Sequence, residues 1–130
     1  MKLSLAVAAT LLAAGMSAAA AEEPIKIGYA ISKTGPFAPA AHTQINTYEL
    51  WQDQVNAAGG IDVGGKKRPV KFISYDDQSD FGKAPQIYEK LITDDKVDLL
   101  LAPWGTPFHF ALPASSKNIS SRWSAIRRAR

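Results

Sequence analysis

The chain has 130 residues, no cysteine and a formal net charge of +3. Without cysteine it has neither a disulfide framework nor thiol chemistry. The charge is split, with residues 22–114 summing to −3 and residues 115–130 to +5, so the body lacks the basic footprint of a nucleic-acid-binding domain and no nucleic-acid partner is expected.

Residues 1–21 read as a secretory signal. Met1-Lys2 is a short basic start, and Leu3 to Met16 is apolar but shorter than the roughly 20 residues that span a bilayer. Ser17 to Ala21 supplies the small residues of an Ala-x-Ala cleavage site. Cleavage near Ala21 would deliver the chain outside the cytoplasm. A cysteine-free exported chain fits a bacterial periplasm better than a disulfide-stapled secreted domain. The remainder is at most one domain of about a hundred residues, enough to bury a core but not to build two full lobes.

Ile25 to Ile31 alternates and then turns apolar, which predicts a first strand. Ser32-Lys33-Thr34-Gly35-Pro36-Phe37 is a loop punctuated by Gly-Pro, with Pro39 at its far end. Ala41, Ile45, Tyr48, Trp51, Val55 and Ala58 recur every three or four residues and form one helical face. Gly59-Gly60 stops that helix. Ile61 to Arg68 is a short excursion around a tight turn. Pro69 to Tyr75 is the second strand. Asp76-Asp77-Gln78-Ser79-Asp80 is a polar loop, and Ala84, Ile87, Tyr88, Leu91 and Ile92 mark a second helix that Pro85 requires to begin near Gly82 to Ala84. Val97 to Ala102 is a short apolar run bounded by turn residues, the pattern of a buried parallel strand. It stops at Pro103. Gly105-Thr106-Pro107 then opens a third helix, with Thr106 as a candidate cap and Pro107 suited to the first turn.

Strands alternating with helices predict a three-layer α/β fold with a parallel, right-handed sheet. In the common order 2-1-3 the first and third strands are neighbours, and the loops beyond their C-terminal ends flank the crevice where such sheets bind ligands. Those loops are Thr34 to Phe37 and Pro103 to Pro107. The second leads into a helix N-terminus, where backbone N–H groups and the helix dipole favour an anion.

Other motifs point elsewhere. Gly60 to Lys67 nearly matches a phosphate-binding loop, but Lys67 stands where Ser or Thr should hold magnesium, and the helix precedes the strand instead of following it. A glycine turn with a basic tip is the expected reading. Asp76, Asp77 and Asp80 either cap the second helix or hold a divalent cation. The second option is the basis of an alternative function, a small exported metal-dependent α/β hydrolase. His42 and His109 show no metal-type spacing, and no Gly-x-Ser-x-Gly elbow is present. Trp104 either packs in the core or lines an apolar ligand pocket.

Four segments taken together carry a resemblance. Ile-Lys-Ile-Gly-Tyr-Ala-Ile-Ser-Lys-Thr-Gly-Pro (25–36), Val-Asn-Ala-Ala-Gly-Gly-Ile (55–61), Tyr-Asp-Asp-Gln-Ser-Asp (75–80) and Lys-Val-Asp-Leu-Leu-Leu-Ala-Pro-Trp-Gly-Thr (96–106) occur in order. Behind a signal peptide, they resemble the type I periplasmic substrate-binding proteins of ABC importers, in the branched-chain amino-acid (leucine/isoleucine/valine) group. The resemblance covers roughly residues 24–114. It implies two α/β lobes closing on a small solute that is delivered to an inner-membrane permease, with no chemistry and no cofactor. It makes residues 22–114 part of the N-terminal lobe of a monomer. It also implies that Gly105 and Thr106 hold a ligand carboxylate. Gly105 stands where many members have Ser. The family's aromatic contact aligns near Ala40, with Phe37 the nearest substitute, and Trp104 extends the expected ligands to small aromatic acids.

The family pattern stops at Ala114. Residues 115–130 contain Lys117, Arg122, Arg127, Arg128 and Arg130, no acid and no sustained period. They are expected to be disordered or out of frame, the end of a truncated and impaired product. Reading the coding DNA in its other two frames beyond Ala114 tests this expectation: a continuing α/β pattern supports it, and none there counts against it.

Overall fold

A computed structural model describes residues 22–112; the leader expected at 1–21 and the tail expected at 115–130 lie outside them. The elements follow one another as β1 (Ile25–Ile31), α1 (Ala38–Ala57), β2 (Ile61–Val63), β3 (Lys66–Arg68), β4 (Val70–Asp76), α2 (Ala84–Thr93), β5 (Leu99–Leu100) and α3 (Thr106–Ala111).

β1 is the centre of the sheet. It pairs in parallel with β4 from Ile25 opposite Val70 to Ile31 opposite Asp76, and on its other side with β5 through Ile27–Leu99 and Gly28–Leu100. The order β4-β1-β5 is the 2-1-3 order expected of the first, second and third strands read from the sequence, though the third is only Leu99–Leu100.

The period-2 alternation of β1 sorts its side chains between two helical layers. Ile25, Ile27, Tyr29 and Ile31 are buried on the α1 side, with Ala41, Ile45, Tyr48 and Val55. Ala30 faces the other way and packs with Tyr88 and Leu91 of α2 and with Val97. Gly28 shares that second face. A Cβ there would lie 2.9 Å from a Leu91 methyl and 3.1 Å from Val97, so glycine is what lets α2 approach the strand.

The differences from the sequence reading have local causes. α1 begins at Ala38, three residues before its apolar stripe, because Pro39 sits in the opening turn, where a proline has no N–H to lose. The helix ends as expected, with Gly59 and Gly60 at φ of 91° and 97°. Ile61 to Arg68 forms an antiparallel hairpin. Gly64 and Gly65 turn it with positive φ, and the Asp62 carboxylate accepts the Gly65 N–H at 2.9 Å. This is a hairpin turn rather than a phosphate loop. The apolar run 97–102 is less enclosed than a central parallel strand: Val97 is buried, but Leu99 is 51% exposed. Among the described residues β5 is an edge strand, so its outer side has no ladder.

Candidate functional site

Because β5 lies beside β1, the loops leaving their C-terminal ends are neighbours. The second loop turns at Gly105, whose φ of 95° and ψ of 133° make it the N-cap of α3. A Cβ there would meet Phe108 at an ordinary 3.5 Å. Glycine is therefore required by the backbone angle, which L side chains disfavour, and not by space.

The expectation that Thr106 caps α3 is corrected. The left-handed turn comes one residue earlier, so Thr106 is the first helical residue and no side chain caps the helix. The Phe108 N–H donates to the Gly105 carbonyl at 3.1 Å, and Pro107 has no N–H. Among the described residues nothing accepts from the N–H groups of Gly105 and Thr106. Those two amides are the donors the loop can offer to an anion. Thr106 is exposed, which leaves its hydroxyl on the same surface.

Phe37, at the end of the first loop, reaches the second loop through rings. It lies 6.2 Å from Phe108 and 6.1 Å from Phe81, and Phe81 meets Phe108 edge-on at 4.8 Å. Phe108 is buried, while Phe37 and Phe81 are partly exposed, at 37% and 41%. Trp104 is half-buried and packs against the cluster of Tyr29, Ile31 and Ala41 on the α1 side.

The structure thus brings Phe37 near Phe108, which follows the Gly105–Thr106 turn, and has Trp104 partly in packing. Phe81 and Phe108 were not singled out from sequence. Phe81 is an isolated aromatic in a polar loop, and that misfit was the available signal. Phe108 lies in a helix too short to show a period.

The acids of the β4–α2 loop do not cap α2, which corrects that expectation. Lys83 occupies the N-cap without a side-chain bond, because the turn at 80–83 separates the acids from the helix. Asp80 accepts the Gly82 N–H at 2.8 Å. Asp76 accepts from Lys33 N–H at 2.9 Å, from Thr34 N–H at 3.2 Å and hydroxyl at 2.7 Å, and from Gln78 N–H at 2.8 Å. Partial burial works against its charge, but the bonds from Thr34, Gln78 and Lys33 outweigh this and hold the carboxyl below its ordinary value.

Asp77 is fully buried. Its Oδ1 accepts from the Ser32 hydroxyl at 2.6 Å and the Ser79 N–H at 2.9 Å, while its Oδ2 has no partner among the described residues. Burial pushes this carboxyl up, against the Ser32 and Ser79 bonds and with help from Asp76 and Asp80. Among the described residues no three such side chains are grouped to hold a metal ion. The three carboxylates all accept from nearby backbone N–H or hydroxyl groups of the two loops. His42 and His109 are both exposed.

Known structures place this arrangement. The chain is similar to the branched-chain amino-acid substrate-binding protein LivJ of Streptococcus pneumoniae, solved with isoleucine, at 27% identity and a TM-score of 0.64 over 74% of this chain and 26% of that one. It is similar to a solute-binding protein of an ABC transporter from Rhodopseudomonas palustris, solved with benzoate, at 26% identity and a TM-score of 0.57 over 73% and 25%. A type 1 periplasmic binding protein of Bordetella pertussis matches at 27% identity and a TM-score of 0.60 over 74% and 25%. The chain spans about a quarter of the length of these proteins. The periplasmic binding protein family model matches residues 24–116, and with the β4-β1-β5 sheet of a type I lobe this chain belongs to the periplasmic binding protein family.

Proposed function

We propose that this chain carries one wall of the solute site of an ABC importer's periplasmic binding protein. The solute is an amino acid or another small carboxylate, aliphatic or aromatic. Residues 1–21 are the cleaved leader that exports it, and the complete protein acts as a monomer that hands its solute to an inner-membrane permease.

One observation carries this reading: the N–H groups of Gly105 and Thr106, without an acceptor among the described residues, open the helix whose Phe108 ring lies 6.2 Å from the exposed Phe37, at the C-terminal ends of adjacent parallel strands. A carboxylate would take the two amides and the Thr106 hydroxyl. Its side chain would lie toward the phenyl rings, which offer apolar area. The bound isoleucine and benzoate of two structural relatives are both small carboxylates, one aliphatic and one aromatic.

The test is a nitrogen-15 NMR titration of the chain with isoleucine and, separately, benzoate. Saturable shifts confined to the amides of Gly105, Thr106 and the 34–37 loop are expected. Shifts scattered over the surface, or none with either solute up to tens of millimolar, would overturn the reading.

A further inference from the structure

The 32–37 loop is held by few bonds of its own. As α1 begins, the Gly35 carbonyl accepts from Ala38 N–H at 3.1 Å and the Phe37 carbonyl from Ala41 N–H at 3.0 Å. Further anchors come from the end of β4, where Lys33 Nζ donates to the Ser74 carbonyl at 3.2 Å, and from the β4–α2 loop. The Asp76 carboxylate takes the N–H groups of Lys33 and Thr34 and the Thr34 hydroxyl. The Ser79 hydroxyl works in both directions, accepting the Phe37 N–H at 3.1 Å and donating to the Thr34 carbonyl at 3.0 Å.

The two loops also interlock sterically. A Cβ on Gly35 would lie 2.6 Å from Ser79 Oγ and 2.8 Å from the Gln78 carbonyl, so only glycine permits the approach. Gln78 and Ser79 themselves adopt positive φ, 56° and 61°. That left-handed backbone is uncommon for residues other than glycine and persists only when surroundings enforce it. Here it turns the Ser79 side chain toward Phe37.

We propose that Asp76 and Ser79 are positioning residues of the solute site, setting the conformation of the 32–37 loop so that Phe37 faces the Gly105–Thr106 turn. The inference rests on the solute-binding reading above. It adds that Asp76 and Ser79 shape one wall of the site by acting through the 32–37 loop. The same bracket gives the acid-rich loop a role other than capping α2.

Ser79→Ala, Ser79→Thr and Asp76→Asn in the full chain test it, each followed by thermal unfolding, by amide hydrogen exchange and by the solute titration. Ser79→Ala is expected to speed exchange at Phe37 and to weaken the solute-induced shifts about fivefold, the loss of one ordinary hydrogen bond, with little change in unfolding temperature. Ser79→Thr keeps the hydroxyl and is expected to restore both. Asp76→Asn should speed exchange at Lys33 and Thr34 and weaken the titration similarly. Unchanged exchange at all three amides in both Ser79→Ala and Asp76→Asn would overturn the proposal, as would a loss of affinity that merely tracks lost stability. If the unsubstituted chain shows no solute-induced shift, the solute reading fails, and the exchange data still decide whether the bracket sets the loop.

Discussion

Asp76 and Asp77 are adjacent in sequence and respond to acid in opposite ways. Asp76 sits at the rim with four donors around it, so its folded-state value lies below the ordinary 3.8. The stability it contributes is present above 3.8 and is lost as the pH falls through the lower, folded value. Asp77 is buried, and burial, with Asp76 and Asp80 nearby, raises its folded-state value above 3.8; its second oxygen has no partner among the described residues. Its contribution is complete below 3.8 and is lost as the pH rises through the higher, folded value. Asp77→Asn is a neutral isostere that keeps one oxygen for Ser32 and Ser79. It is expected to be at least as stable as the natural chain at pH 7 and to flatten the rise in stability on moving from pH 7 toward pH 4, measured by urea unfolding across that range. Asp77→Ala instead strands the Ser32 hydroxyl and the Ser79 N–H, and should cost about 1–3 kcal/mol. A less stable Asp77→Asn at pH 7 would show that the charge itself is needed.

At the scale of elements, α1 does more than bury an apolar stripe. Its polar residues close the free edge of β4. The Asn56 amide donates to the Val70 carbonyl at 2.9 Å and accepts the Val70 N–H at 2.7 Å, as a neighbouring strand residue would. Gln52 accepts the Phe72 N–H at 2.6 Å. An open edge invites pairing with another chain, and these side chains occupy it. Asn56→Ala should destabilise the chain by about 1–3 kcal/mol, since two half-buried backbone groups lose their partners, and should raise the tendency to aggregate. Unfolding curves and light scattering read both effects; a change under about 0.5 kcal/mol would mean that water replaces the amide. The α1 stripe was legible from the three- and four-residue gaps between Ala41 and Val55. The roles of Gln52 and Asn56 were not, because a polar residue that bonds a strand edge looks like any solvated position until the strand's place is known.

At the scale of the whole molecule, one wall of a site is present and the facing wall is not among the described residues. Two amides and a hydroxyl on an open surface leave a solute largely hydrated. Affinity for isoleucine or benzoate is therefore expected to be near the millimolar level, about −4 kcal/mol, by calorimetry or titration. Micromolar binding would show that the chain encloses its ligand by some other means. The open side of the sheet is also visible beside α1, where Ile27, Thr47, Tyr48, Trp51, Phe72 and Leu101 line an apolar groove of about 310 Å³. Parallel sheets are ordinarily covered on both faces; this groove runs between α1 and the sheet, lined from α1, β1, β4 and the residue after β5.

The linear order of residues was enough to determine the alternation of strands and helices, the parallel sheet and the two loops that bound the crevice. Each of these comes from short-range periodicity, from Gly and Pro at turns, and from the handedness of L-residues. Only the tertiary structure decided that Trp104 packs partly inward, that Phe81 and Phe108 join Phe37, and that the acids of 76–80 brace a loop more than forty residues earlier in the chain. Such contacts depend on which strand lies beside which and on the direction each side chain leaves its loop, and no local pattern encodes either.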